Sequence, residues 1–321
     1  MSSSETIVAV VSDASEKSLW APIFSRMKER ITLMEVREIF HLTVRCREKL
    51  ISPRVALLST RLYPNEHPKL VSQFRQLFPE CEIVLMGLST DPSPPLGLIL
   101  RDNVRHMLIN PAEDPFRDID REASLYDLTM RRLKNGLPLY ISDYIKPGTA
   151  VREFRVVSSE QKEELIGELE RAISGSSTEF EMLRMKAALL ADEMLENALY
   201  AAPRGEGAAP LYQKGEKRTL AEGEDVSFRF GFDGESLALE VTDGWGTLSS
   251  EAFFEHVTRN LECLGIHEEI GGRGLFIIWR FLDSLHIRIN PGRQTVIGGK
   301  IRLASADCYL ESKGFHICAI P

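Results

Sequence analysis

Short apolar segments alternate with amphipathic segments along the first 110 residues. Five apolar segments read as buried strands: Thr6–Ser12, Ile31–Arg37, Val55–Ser59, Glu82–Leu88 and His106–Asn110. Helical periodicity marks the segments Ser15–Glu29, Ile39–Leu50, Lys69–Phe78 and, further on, Arg117–Leu133, whereas Asp91–Pro95 is a proline-rich loop. Strands that are apolar on both faces and separated by helices are typical of a parallel α/β sheet. The pattern therefore predicts an α/β domain over residues 1–136.

The second half of the chain follows an α+β pattern. Residues 137–150 are rich in Pro, Gly and Tyr and are predicted to be a linker. The predicted helices are Ser159–Ile173, Ser177–Ala202, Ser250–Leu264 and Leu275–Leu282. The predicted strands are Phe154–Ser158, Val226–Phe232, Ser236–Thr242, His286–Asn290 and Gln294–Leu303. Because Asp233-Gly234 is a strong hairpin signal, the second and third strands should pair within a domain spanning 151–321.

Composition narrows the function classes. The chain has 39 basic and 47 acidic residues, a net charge of −8, which disfavours direct binding to nucleic acid. Its five cysteines form no C-x-x-C pair, so free thiols in a reduced compartment are expected. No apolar stretch approaches the length that spans a bilayer, and no signal peptide is evident. We therefore expect a cytoplasmic protein without membrane contact.

The first domain ends its third and fifth predicted strands with Ala56–Thr60 and Leu108–Pro111. Its element order resembles a flavodoxin-like receiver domain of two-component systems. That resemblance implies a phosphoacceptor Asp after the third strand and a Lys after the fifth, and both are absent here. Asp13, after the first strand, cannot build a magnesium and acyl-phosphate site alone. The domain is interpreted as a pseudo-receiver used for docking or homodimerisation, and an unrelated α/β fold remains the alternative.

Three short motifs in the second domain carry candidate chemistry. Glu193 and Asn197 lie four residues apart on one helix and share a face. Asp243 ends an apolar strand and begins the motif Asp-Gly-Trp-Gly, and Gly271–Gly274 precedes an apolar helix. Taken singly, these are a solvated polar stripe, a turn and a tight glycine turn. A glycine loop at a helix N-terminus can also hold an anion.

Together the motifs resemble those of the GHKL ATPase superfamily, whose fold is the Bergerat α/β sandwich. The resemblance covers roughly Val151–Leu303, and the wording of Gly271–Ile278 is closest to the anti-sigma-factor serine kinases. It implies an adenine nucleotide and Mg²⁺ as ligands. Asn197 would ligate Mg²⁺, and Glu193 would be the general base.

The same resemblance assigns the remaining contacts. Asp243 would accept the adenine amino group, Gly246 would let the base approach, and Thr295 would contact adenine through water. The phosphates would be held by the second glycine motif: Gly272, Arg273 and Gly274. Trp245 departs from the family pattern, which has glycine there, and it could stack near the base or narrow the pocket.

Four functions can be weighed from these features. A conventional histidine kinase is disfavoured because no histidine lies between residues 107 and 255, where a phosphoacceptor helix would be. A gyrase-like enzyme is remote because no transducer-sized domain follows. The favoured hypothesis is an ATP-binding switch of the anti-sigma serine-kinase type that binds a regulatory protein partner and phosphorylates its Ser or Thr. The alternative is a non-catalytic adaptor in which both domains are protein-binding surfaces.

Overall fold

The computed structural model describes residues 6–36, 44, 52–62, 69–88, 91, 96–110, 119–205, 209–262, 273–303 and 314–319. Most of the predicted helix Ile39–Leu50 and the loop residues 92–95 therefore lie outside the described residues. The chain divides into two compact units. The first comprises Met1–Leu139 with Glu311–Phe315, and the second comprises Tyr140–Leu310 with His316–Pro321.

The first unit contains a parallel sheet flanked by helices. Its strands are β1 (Thr6–Val11), β2 (Ile31–Glu35), β3 (Pro53–Ser59), β4 (Glu82–Leu88) and β5 (His106–Asn110), in the order β2-β1-β3-β4-β5. Its helices are α1 (Ala14–Phe24), α2 (Leu70–Leu77), α3 (Leu96–Arg101) and α4 (Ile119–Lys134). All four strand pairs are parallel, which confirms the predicted α/β sheet. Helix α3 was not predicted, because six mostly apolar residues show no helical period.

A buried glutamate, Glu16, lies at the C-terminal ends of strands β1 and β3. The Glu16 carboxylate is 1% exposed and accepts hydrogen bonds from Ser12 N (2.7 Å), Trp20 Nε1 (3.3 Å) and Ser59 Oγ (2.5 Å). Asp13 is exposed and caps α1 by accepting a hydrogen bond from Glu16 N. Asp13, the acidic residue singled out from the sequence, is thus a helix cap, and Glu16 is the acidic residue that is buried.

We expect Glu16→Ala to lower the free energy of unfolding by about 3 kcal/mol, because it leaves several buried donors without an acceptor. Hydrogen exchange of the β1 and β3 amides in the full chain would measure the loss. Asp13→Ala is the matched control and should cost about 1 kcal/mol, the usual value for an N-cap. Equal loss of protection in the two variants would contradict the role assigned to Glu16.

The second unit contains an antiparallel sheet with helices on one face. Its strands are β6 (Arg152–Val156), β7 (Val226–Phe232), β8 (Ser236–Asp243), β9 (Ser284–Asn290) and β10 (Gln294–Arg302), in the order β9-β10-β8-β7-β6. Its helices are α5 (Lys162–Ala172), α6 (Thr178–Glu196), α7 (Ser250–Glu262) and α8 (Gly274–Phe281). Gly234 adopts a positive φ of 89° in the turn between β7 and β8, which confirms the predicted hairpin. A last strand, β11 (Gly314–Ala319), was not predicted.

Helix α6 forms the centre of the helical layer. It packs against α5, α8, β8 and β10. Its buried residues include Leu183, Ala187, Leu190 and Met194, which recur every three or four positions and so form one apolar face. After Glu196 the helix widens into a π-helix over Asn197–Ala201, a rare conformation that is frequent at functional sites.

The segment read as a linker belongs largely to the second unit. The unit boundary falls between Leu139 and Tyr140, and Ile141 and Tyr144 are buried. Tyr144 stacks on His286, which contacts the fully buried Glu240 at 3.0 Å. Burial alone would raise the pKa of Glu240, but His286 and nearby arginines outweigh it and hold the pKa at about 2. This charged cluster lies within apolar strands and gave no sequence signal.

No helix in the described part of the chain combines the length and the apolar character needed to cross a membrane.

Candidate functional site

A cavity of about 860 Å³ opens in the second unit, a size within the range of ligand-binding pockets. Its walls come from α6 and the π-helix, the ends of β8 and β10, helices α7 and α8, and the loop after the π-helix. Six residues proposed from the sequence line it: Glu193, Asn197, Asp243, Arg273, Gly274 and Thr295. Gly271 and Gly272 lie outside the described residues.

The N-terminus of α8 lies directly against the polar face of α6. A Cβ atom on Gly274 would be 2.7 Å from Glu193 Oε2 and 3.2 Å from Asn197 Nδ2. Glycine is therefore required at 274 if Glu193 is to keep its position. The Asn197 Nδ2 atom is buried and makes no hydrogen bond within the described structure. A buried donor without a partner is costly in a folded protein, which makes Asn197 a candidate ligand-binding group.

Glu193 belongs to a cluster of opposite charges. Its carboxylate lies 4.0 Å from Lys214 Nζ, and the same ammonium lies 3.2 Å from Glu196 Oε2. Lys162 contacts the other oxygen of Glu196 at 2.6 Å and Asp192 at 2.7 Å. Burial raises the pKa of Glu193, and Lys214 offsets part of that increase. A partly buried carboxylate with a raised pKa in a cavity is a candidate for proton transfer.

Asp243 ends β8 inside the cavity and is 6% exposed. One carboxylate oxygen, Oδ1, accepts hydrogen bonds from Trp245 N (2.9 Å) and Gly246 N (3.3 Å). Thr295 stands opposite Asp243 in the β8–β10 register and is also buried. Burial raises the pKa of Asp243 to about 6, although the two backbone donors pull it downwards. The second oxygen can accept a hydrogen bond from a ligand.

Gly246 has a role in the backbone, whereas the resemblance implies that it lets the adenine base approach. It does not line the cavity. Its φ is +60°, and a Cβ there would lie 2.2 Å from the backbone oxygen of Asn290. The sequence requires glycine at 246 because the chain passes closely over the turn between β9 and β10. Trp245 is half-buried and likewise does not line the cavity, so the indole does not narrow it.

Sequence reasoning missed the contribution of the loop between the π-helix and β7. Tyr212 and Lys214 from this loop line the cavity. A buried ion pair between Arg218 and Glu224 and a hydrogen bond from Tyr200 Oη to the Glu216 carbonyl (2.7 Å) hold the loop in place. A charged, Gly- and Pro-rich segment predicts exposure, and nothing in its local pattern shows which residue turns inward.

The described residues of the cavity offer too few ligands to hold a metal ion by themselves. Among the residues described, no group of three or more His, Cys, Asp or Glu is arranged to do so. Asn197 supplies one amide oxygen in the cavity. Any Mg²⁺ bound there must take its remaining ligands from water and from a second molecule such as a phosphate chain.

No protein-family model matches the chain, and no curated protein sequence matches it. Among solved structures, it is similar to a Burkholderia pseudomallei protein described as pilus assembly-related. The two share 18% sequence identity, the TM-score is 0.31, and the similarity covers 43% of this chain and 96% of that protein. A TM-score this low gives no argument about fold or function.

Proposed function

We propose that the chain is an ATP-binding signalling regulator of the GHKL superfamily, with a Bergerat-type second unit and a mode of action like that of anti-sigma serine kinases. One observation carries the proposal. Three motifs that are far apart in the sequence, around Glu193, Asp243 and Gly274, meet in one cavity. A nucleotide site requires these motifs to lie in one cavity. An exposed polar stripe and glycine turns that serve only the local structure do not require it.

The residues present fit an adenine nucleotide. Asp243 offers a buried carboxylate to the adenine amino group, and Thr295 lies beside it in the sheet. The side-chain amino group of Asn197 is buried without a hydrogen-bond partner in the described structure, and Gly274 lets the positive end of α8 approach it closely. Mg²⁺ held between Asn197 and the phosphates would neutralise their charge.

Glu193 supplies the chemistry in this proposal. Its carboxylate lines the cavity one helical turn before Asn197, and burial raises its pKa. It would take the proton from a Ser or Thr hydroxyl of a partner protein as that oxygen bonds to the terminal phosphorus and ADP leaves. Asn197 and Gly274 position the groups, and Arg273 would contact the phosphate chain.

The first unit is proposed to be a flavodoxin-like pseudo-receiver. The parallel strand order β2-β1-β3-β4-β5 supports this assignment. Ser59 ends β3 and Asn110 ends β5, where a receiver would have its phosphoacceptor Asp and its Lys. Glu16 fills the edge between β1 and β3 with a satisfied carboxylate. We infer that this unit serves docking or homodimerisation in the cytoplasm.

A non-catalytic adaptor is the second candidate, and the filled edge of the first unit favours it. A partner pull-down combined with radiolabelled ATP separates the two functions. Label on a Ser or Thr of the captured partner in the wild type, and none with Glu193→Ala, supports the kinase. Capture that is unaffected by ATP and leaves the partner unlabelled supports the adaptor and excludes the kinase.

We expect Gly274→Ala to weaken ATP binding about tenfold or more, because the new methyl group would crowd the Asn197 amide, whose oxygen the proposal assigns to Mg²⁺. Calorimetric titration with ATP and Mg²⁺ would measure it. Gly97→Ala is the control, since a Cβ on Gly97 meets nothing within 4 Å. Equal ATP affinity in both variants would contradict the placement of the phosphates beside α8.

A further inference from the structure

Lys214 stands on a turn whose backbone is fixed. The turn runs over Gln213–Glu216, with a hydrogen bond from Glu216 N to the Gln213 carbonyl oxygen of 3.1 Å. Tyr200 Oη donates to the Glu216 carbonyl oxygen at 2.7 Å, and the Arg218 guanidinium lies 3.5 Å from the centre of the Tyr212 ring. These contacts set the direction from which the lysine stem enters the cavity wall.

The ammonium group itself is loosely held. The Lys214 side chain is 66% exposed, and its Nζ lies 3.2 Å from Glu196 Oε2 and 4.0 Å from Glu193 Oε2. Glu196 also has a much less exposed partner, Lys162, at 2.6 Å. Glu196 would therefore remain paired if the ammonium of Lys214 moved away. The contact with Glu196 Oε2 is an ion pair without a hydrogen bond, since that buried oxygen has no hydrogen-bond partner in the described structure, so the exposed ammonium of Lys214 can turn to another anion.

Charge at this wall makes Lys214 important for an anionic ligand. The cluster contains three carboxylates, Asp192, Glu193 and Glu196, and two ammonium groups, Lys162 and Lys214. Its net charge is −1, and without Lys214 it would be −2. A phosphate that comes close to Glu193 would then meet a wall with twice the negative charge.

We propose that Lys214 binds the terminal phosphate of a nucleoside triphosphate, exchanging its contact with Glu196 for one with that phosphate. The inference rests on the proposed function. A general base must lie near the reacting phosphate, so an ammonium 4.0 Å from the Glu193 carboxylate lies near the same phosphate. Lysine binds phosphate as a point charge that can follow the group it contacts. A nucleoside diphosphate lacks the terminal phosphate, so Lys214 should contribute little to its affinity.

The test compares two nucleotides on three proteins. Calorimetry with Mg²⁺ would give the Kd of a non-hydrolysable ATP analogue and of ADP for the wild type, Lys214→Ala and Lys217→Ala. Lys217 is the matched control, because it lies three residues along the same loop and pairs with Glu160 at 2.8 Å, and it does not line the cavity. Lys214→Arg, which retains the charge, is the rescue variant.

We expect Lys214→Ala to weaken the triphosphate about tenfold or more, the scale of one hydrogen bond to a charged group, and to change ADP affinity less than about twofold. Lys217→Ala should match the wild type, and Lys214→Arg should recover most of the loss. Equal weakening of both nucleotides, or no weakening, overturns the role of Lys214 and leaves the nucleotide site standing. A wild type that binds neither nucleotide overturns the proposed function and the inference with it.

Discussion

Replacing Asp243 with Asn should weaken adenine nucleotide binding by about 1.5–3 kcal/mol and at the same time stabilise the protein at neutral pH. The loss of binding follows because an amide is a weaker acceptor than a carboxylate for the adenine amino group. The gain in stability follows because burial at the end of β8 disfavours the charged form of Asp243 more than its hydrogen bonds favour it.

The stability effect has a defined dependence on pH. The pKa of Asp243 is 3.8 as a reference for the unfolded chain and about 6 when folded. Between these values the folded state binds more protons, so this group favours folding below pH 3.8 and loses that effect as the pH rises through about 6. The difference between these two pKa values corresponds to roughly 3 kcal/mol at pH 7 and above.

Thermal unfolding at pH 5 and pH 8, with ATP titrations at pH 8, would check both halves of the prediction. Asp233→Asn is the control. Backbone donors at the β7–β8 turn outweigh burial and lower the pKa of Asp233, so its replacement should destabilise the protein at neutral pH. A destabilised Asp243→Asn protein at pH 8, or one that binds ATP as tightly as the wild type, would count against the assignment.

Replacing Glu193 with Gln should reduce phosphoryl transfer by about 10²–10⁴-fold and leave ATP affinity nearly unchanged, because glutamine keeps the shape of the side chain but cannot take a proton. Transfer of radiolabel to a partner Ser or Thr measures the rate. Glu181→Gln is a control on the same helix, since Glu181 pairs with Arg184 and does not line the cavity. A transfer rate equal to that of the wild type would exclude Glu193 as the base.

Asn197→Ala should give the opposite division of effects. It removes the amide oxygen that the proposal assigns to Mg²⁺, so binding that depends on the metal should be lost, and the metal-independent part should remain. ATP titrations with and without Mg²⁺ separate the two parts. Identical Mg²⁺ dependence in the wild type and in Asn197→Ala would contradict that assignment.

The apolar pattern predicted most of the strands, because strands buried on both faces are continuously apolar and strands buried on one face alternate. Glu193 and Asn197 could be placed together from their spacing on one helix, and Asp243 from its position at a strand end. Lys214 could not be found this way, because its place depends on long-range contacts such as that of Tyr200 with Glu216. The glycine pattern was ambiguous for a related reason.

Gly246 and Gly274 both lie in glycine-containing motifs, yet one is required by the turn between β9 and β10 and the other by the side chains of α6. Sequence shows that glycine is present but not which neighbour demands it. Glu16 was hidden in a similar way. In an amphipathic helix a glutamate is read as part of the exposed face, and only the ends of β1 and β3 reveal its donors.

The central claim is that the cavity of the second unit binds ATP, and a thermal-shift titration of the wild-type chain tests it most directly. With Mg²⁺ present, ATP at about 100 times its Kd should add roughly 2.7 kcal/mol to the free energy of unfolding, and the increase should be smaller without Mg²⁺. Asp243→Asn should show little shift at the same ATP concentrations. No shift in the wild type at millimolar ATP, with or without Mg²⁺, would contradict the claim.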